Sequence, residues 1–213
     1  MNKNILERIE KKLAEIKAKK INTSPYSKSI HFNDPIDYHD IAKFEIEMGI
    51  QVPEELKSFI QKIGNGGFGP GYSGLIPLGK KMLRDPRVSI ENNDRIDLKS
   101  DFMYTKEWNY DPLISELDNE LFDNDDVLKY YFSVDRISGA ICICDLGCGA
   151  IVLLVVKGNE YGKVWIDYRG DYSGISPINI PIENPNNATF LEWYEAWLDE
   201  IYLEVPFEKR QFL

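Results

Sequence analysis

The sequence predicts an α+β fold, a single domain whose mainly antiparallel sheet is packed by N-terminal and C-terminal helices. Three observations carry that expectation. Apolar residues recur at three- and four-residue intervals near both ends of the chain, and runs rich in β-branched, aromatic and Cys residues follow one another from Gly139 to Arg169. The third is size: 213 residues, 43% apolar and 12% aromatic, can bury a substantial core, and about 100 to 200 residues make one domain.

From Asn4 to Ile16, residues Ile5, Leu6, Ile9, Leu13 and Ile16 fall on one helical face and lysines on the other. Such a helix can lie on a membrane or dock a partner, but its simplest use is to pack the apolar stripe on its own domain. The stretch INTSPYSKSIHFNDP, with two prolines and several turn formers, reads as a linker. A second helix is expected from about Asp37 to Met48, with Ile41, Phe44 and Met48 facing inward and Gly49 as its stop. Val52-Pro53 opens a third, with Pro at the first helical position and Leu56, Phe59, Ile60 and Ile63 as its stripe, ended by Gly64.

GPGYSG, Gly69 to Gly74, then spells the G-x-G-x-x-G of dinucleotide sites, but it follows a helix instead of a strand, and Pro70 removes an N–H that a phosphate cradle would use. It is expected to be a tight turn bringing Tyr72 and Leu75 towards the sheet. Lys80 to Ser138 is weakly patterned and acidic, with a short helix plausible around Leu113, Leu117 and Leu121. AICICD, AIVLLVVKG and GKVWIDYR read as consecutive antiparallel strands, with Asn159 to Gly162 turning between the last two. Thr189-Phe190-Leu191-Glu192 is a capping box, and opens a helix whose Trp193 and Trp197 are expected to anchor the core against the sheet.

The formal net charge is −10, yet Met1 to Lys20 holds seven Lys or Arg against three Glu, so the remainder carries about −14. That body repels nucleic acid and anionic lipid and steers basic partners towards itself. Acidity also serves solubility alone. The longest apolar run, Ala140 to Val156, is interrupted by Asp145 and glycines, so no spanning helix is expected, and the charged N-terminus has no secretory h-region. A cytoplasmic location is the default expectation.

Little in the chain points to catalysis or metal. Cys142, Cys144 and Cys148 lack a fourth cysteine, with only His31 and His39 to complete a site, and are expected to be buried strand thiols. Gly71 to Leu75 lacks the last glycine of a nucleophile elbow, and no phosphate-binding G-x-x-x-x-G-K-[ST] occurs. Asp123 to Asp126 lacks the Gly that a calcium loop needs, its place being taken by Leu128, and RGD at Arg169 to Asp171 is a three-letter coincidence. No catalytic residue, cofactor or metal ligand is expected.

The order of these pieces resembles the SUKH superfamily, which takes in a cell-wall assembly regulator and many bacterial toxin-immunity proteins. FEIEMGIQVPEELKSFIQKIGNGGFGPGYSGLIPL, Phe44 to Leu78, is similar to the family's opening, with Gly49, Pro53, Asn65, Gly66 and Gly67 in its motif places and Gly69, Pro70 and Gly71 in the turn that follows. GAICICDLGCGAIVLLVVKGNEYGKVWIDYRGDYSGISPI is similar to its sheet, with Trp165 after the central hairpin, and TFLEWYEAWLDE resembles its closing helix with Trp193 and Trp197. The resemblance spans about Asp37 to Glu200 and divides the chain into an N-terminal helix and linker (1–36), a SUKH-like domain (37–204) with an acidic insertion around 80–138, and a tail (205–213).

The resemblance implies a non-catalytic protein binder, in bacteria an immunity protein that neutralises a cognate polymorphic toxin such as a basic nuclease or deaminase. It implies no direct contact with nucleic acid or membrane. A scaffold or regulator of the same fold, recruiting partners through the N-terminal helix, is the alternative. Candidate contacts are Glu116, Asp118, Glu120, Asp123, Asp125 and Asp126 in the acidic stretch, with Asp167, Tyr168, Asp171 and Tyr172 around the last strand.

Overall fold

A computed structural model describes residues 3–21, 30–71, 74–87, 95–110, 125–180, 187–205 and 209. Helix α1 (Lys3–Lys19) buries Ile5, Leu6, Ile9, Leu13 and Ile16, the predicted stripe, and packs along α5 (Phe190–Tyr202). Its apolar face is therefore used within the fold. On the flank, Arg8 and Lys12 reach Glu195, and Lys12 also reaches Asp199.

Helix α2 (Tyr38–Met48) starts where Asp37 accepts a hydrogen bond from the Asp40 amide and stops at Gly49 in the left-handed region, φ 67°. After Val52, whose amide donates to Glu45, Pro53 takes the N-cap of α3 (Glu54–Lys62), one place earlier than expected, and Ile63 caps its end. Leu56, Phe59 and Ile60 of α3 are buried, and Phe59 meets Phe190 and Tyr194 of α5 edge-on.

The glycine-rich turn joins these helices to the sheet. Gly67 and Leu75 exchange both backbone hydrogen bonds, Asn65 accepts from the Leu78 amide, and Ile76 donates to the Ile143 carbonyl. Leu75 thereby pairs antiparallel with Cys144, as the expected turn towards the sheet requires. Gly71 has φ 71°, and a Cβ there would lie 2.2 Å from the Asp145 carbonyl oxygen, so close approach as well as backbone conformation selects glycine. Pro70 supplies a carbonyl to the Cys144 thiol. Tyr72 lies outside the described residues.

The sheet is a four-stranded antiparallel meander, β1 (Ala140–Gly147), β2 (Ala150–Val155), β3 (Val164–Asp167) and β4 (Ile175–Pro177), in that spatial order. Every residue of β2 is buried, which explains why its sequence is apolar throughout and does not alternate. Leu75 covers the free edge of β1, and Trp108 exchanges both backbone bonds with Ile175 on the free edge of β4.

The weakly patterned stretch contributes to this core. Met82 and Leu83, in a short 3-10 turn against β1, are buried with Ile96, Leu98, Phe102 and Tyr104, and Phe102 and Tyr104 contact Trp165 of β3. Helix α4 (Asp125–Phe132) follows, while the helix expected around Leu113 to Leu121 lies outside the described residues. One expectation is corrected. Cys142 and Cys144 are buried, with burial pushing both thiols up, but Cys148 is exposed at the β1–β2 turn with φ 50°. Trp193 and Trp197 are core residues, as expected, and share one buried cluster with the sheet; their ring contacts are with Phe190, Tyr194 and Phe68. Thr189 and Glu192 form the expected capping box at the start of α5, with Glu192 accepting from the Thr189 amide.

Candidate partner-binding surface

The exit of β3 carries a buried charge network. Asp167, fully buried, accepts from the Arg169 amide at 2.9 Å, from Arg169 Nε at 3.0 Å and Nη2 at 2.7 Å, and from Arg87 Nη2 at 2.7 Å. Arg87 grips Asp85 through Nε and Nη2 and reaches the Gly149 carbonyl. Burial works against the Asp167 carboxylate, but the Arg169 and Arg87 guanidiniums outweigh it and hold its pKa below the ordinary value. Asp85 and Asp167 in turn keep Arg87 above its usual value despite burial.

Arg169, also fully buried, spends its remaining donors on α4. Its Nη1 donates to the carbonyl of Tyr131 at 2.7 Å, in the last turn of α4 where carbonyls lack a helical partner, and to that of Ser133 at 2.9 Å, which also accepts from the Arg136 amide. That contact fixes Tyr131. Its hydroxyl donates to Asn109 Oδ1 and accepts from the Gly174 amide, its ring stacks between Trp108 and Tyr172, and burial pushes its pKa up to about 12.

What faces solvent above this support is aromatic and acidic. Tyr130, Tyr168 and Tyr172 are each between 37% and 48% exposed, so each presents part of its ring to solvent. Tyr172 projects from the turn Arg169–Asp171 with φ 63°, held by Asn109 on its carbonyl, and contacts Phe132. Arg136 already lies 3.8 Å over the Tyr130 ring and 5.2 Å from that of Trp108, an internal example of cation–π packing here. Asp125, Asp126, Asp135 and Asp171 are exposed around these rings, against Lys129 and Arg136. Aromatic faces beside carboxylates suit guanidinium or ammonium groups.

The candidate residues separate accordingly. Tyr168, Asp171 and Tyr172 share the turn after β3, and Asp125 and Asp126 occupy the first turn of α4, where negative charge complements the helix dipole. Asp167 is corrected: it is wholly buried by two arginines, and has no surface to offer a partner. Glu116, Asp118, Glu120 and Asp123 lie outside the described residues. Sequence reasoning missed Arg169, dismissed as part of RGD, and Asp85, Arg87 and Tyr131.

Among the described residues, no group of three or more His, Cys, Asp and Glu is placed to hold a metal ion, and no helix is long and apolar enough to cross a membrane. A family model described as the SMI1 / KNR4 family (SUKH-1) matches residues 35–193, and the chain belongs to that family. No curated protein and no solved structure matches it. The SUKH family includes immunity proteins.

Proposed function

From membership of the SMI1 / KNR4 family we propose that this protein is a bacterial immunity protein, which binds a cognate polymorphic toxin in the cytoplasm and neutralises it by contact. The family match over residues 35–193 is the observation that carries the proposal. Its finer content is a basic toxin, a nuclease or deaminase domain, met by Asp125, Asp126, Tyr168, Asp171 and Tyr172. The −10 net charge raises the rate of encounter with such a domain, and the tyrosine faces accept its Arg and Lys side chains. No cofactor, catalysis, nucleic-acid contact or membrane contact enters this function. The proposed division keeps 1–36 as an accessory helix and linker, 37–204 as the binding domain and 205–213 as a tail.

The test is co-expression with the toxin-like product of the adjacent gene. Wild type should restore growth and co-purify with it, while Asp171→Lys combined with Tyr172→Ala should lose both without loss of fold. No rescue and no complex with any neighbouring product would falsify the proposal. The alternative, a scaffold recruiting through the N-terminal helix, cannot be tested cleanly by deleting α1, because that would expose five buried side chains of the core. Exposed Lys11 and Lys17 provide the better probe: reversing both should abolish recruitment by a scaffold and leave an acidic-face inhibitor intact.

A further inference from the structure

Among the described residues, nothing covers the apolar outer face of α2. Ile46 is 84% and Tyr38 65% exposed, the two most exposed large apolar side chains on any described helix. At about 100° per residue, Tyr38, Ala42, Ile46 and Gly49 fall within an arc of about 80°, away from the core-facing Ile41, Phe44 and Met48. A shallow depression of ≈ 420 Å³ on this face is lined by His39, Ala42, Lys43, Ile46 and Glu47. Lys43 and Glu47 edge the stripe one turn apart, and neither forms an ion pair among the described residues.

We infer that this face binds a second copy of the same chain, α2 packing antiparallel on α2 about a two-fold axis. The charge pattern decides the occupant. An edge bearing one cation and one anion a turn apart favours neither a basic nor an acidic partner as a whole, but it complements itself when reversed. In a two-fold pairing residue i meets j while j meets i. An axis passing near residues 45 and 46 brings Ile46 against its own copy, places Lys43 opposite Glu47 of the second copy twice over, and sets Ala42 opposite Gly49. The three pairings have midpoints within about one residue, roughly 1.5 Å of helix rise, of one another. Ala42 is small, and a Cβ built on Gly49 meets nothing within 4 Å, so the two backbones can approach there. The glycine that ends the helix thus also clears the way for its copy. Short helices give a small interface, so the dimer forms only at raised protein concentration and is opposed by the −10 charge on each chain.

Sedimentation velocity of the full chain from low concentration to its solubility limit tests this. Wild type should move from 24.6 kDa towards about twice that mass, while Ile46→Glu, folded by circular dichroism, should associate at least about tenfold more weakly. Lys43→Glu and Glu47→Lys should each weaken association, and combining them should restore it, since the exchange again pairs opposite signs across the axis. Wild type that stays monomeric throughout overturns the inference. So does association unaffected by Ile46→Glu, or a double exchange no better than either single one. If wild type is monomeric but Ile46→Glu abolishes toxin rescue, the face belongs to the toxin and the self-association is wrong, while the immunity function stands.

Discussion

Two sets of charges hold this molecule together, and they differ in access to water. In the Asp85, Arg87, Asp167 and Arg169 network, the side chains of Asp167 and Arg169 are 0% exposed, so protein groups instead of water satisfy them. Between α1 and α5, the Glu195 side chain is 11% exposed but its partner Arg8 is 46% exposed. Buried charges cost several kcal/mol each to desolvate, so the first set adds little net stability, and its effect is to fix one geometry of the β3 exit and the end of α4. The second set attaches a helix already held by Ile9 and Ile16, and solvent screens it.

The comparison predicts unequal responses. Asp167→Asn should be the most damaging, about 3 to 5 kcal/mol by denaturant unfolding, because it strands the buried Arg169 guanidinium. A loss near that of a surface pair would show the network to be wetter than its burial implies. Glu195→Gln should cost about 1 to 3 kcal/mol, as charge-assisted bonds to both Arg8 and Lys12 weaken. Arg8→Ala should cost about 1 kcal/mol or less, and high salt should erase most of that difference while leaving the Asp167→Asn loss nearly unchanged.

Acid sharpens the contrast. The Arg169 and Arg87 guanidiniums hold Asp167 below its unfolded pKa of about 3.9, and Arg8 with Lys12 hold Glu195 below about 4.3. A carboxylate whose folded pKa is depressed contributes stability that is complete above the unfolded pKa and disappears as pH falls through the folded one. Urea unfolding from pH 7 down to pH 2 should therefore show the deficits of Asp167→Asn and Glu195→Gln shrinking below about pH 4. Deficits constant with pH would mean that packing, not charge, was lost.

Elements with a strong local signal were legible in advance. The stripe of α1, Asp37 and Gly49 bounding α2, and the three consecutive strands all reappear with boundaries within a few residues. Pro53 was misplaced by one position because N-cap and first helical turn differ only in backbone geometry. Cys148 was expected inside because composition alone does not distinguish a strand residue from the turn beside it. The candidate surface was legible only in part: Tyr168, Asp171 and Tyr172 do share an exposed turn, but Asp167, equally acidic and next in sequence, points inward. Period-two alternation does not separate Asp167 from Tyr168, because β3 is buried at every position and ends at Asp167, and nothing local supplies Arg87, eighty residues away.

The sequence by itself determined the helices, the meander and the acidic balance, because helical and strand periodicity, caps and turn glycines act over a few residues. Only the tertiary structure decided which charges are surface and which are core. Asp85 and Arg87 come from the weakly patterned stretch, Asp167 and Arg169 from the end of β3, and their burial depends on the chain returning to the same place. A carboxylate's role follows from its distance to water and to cations, and sequence order encodes neither.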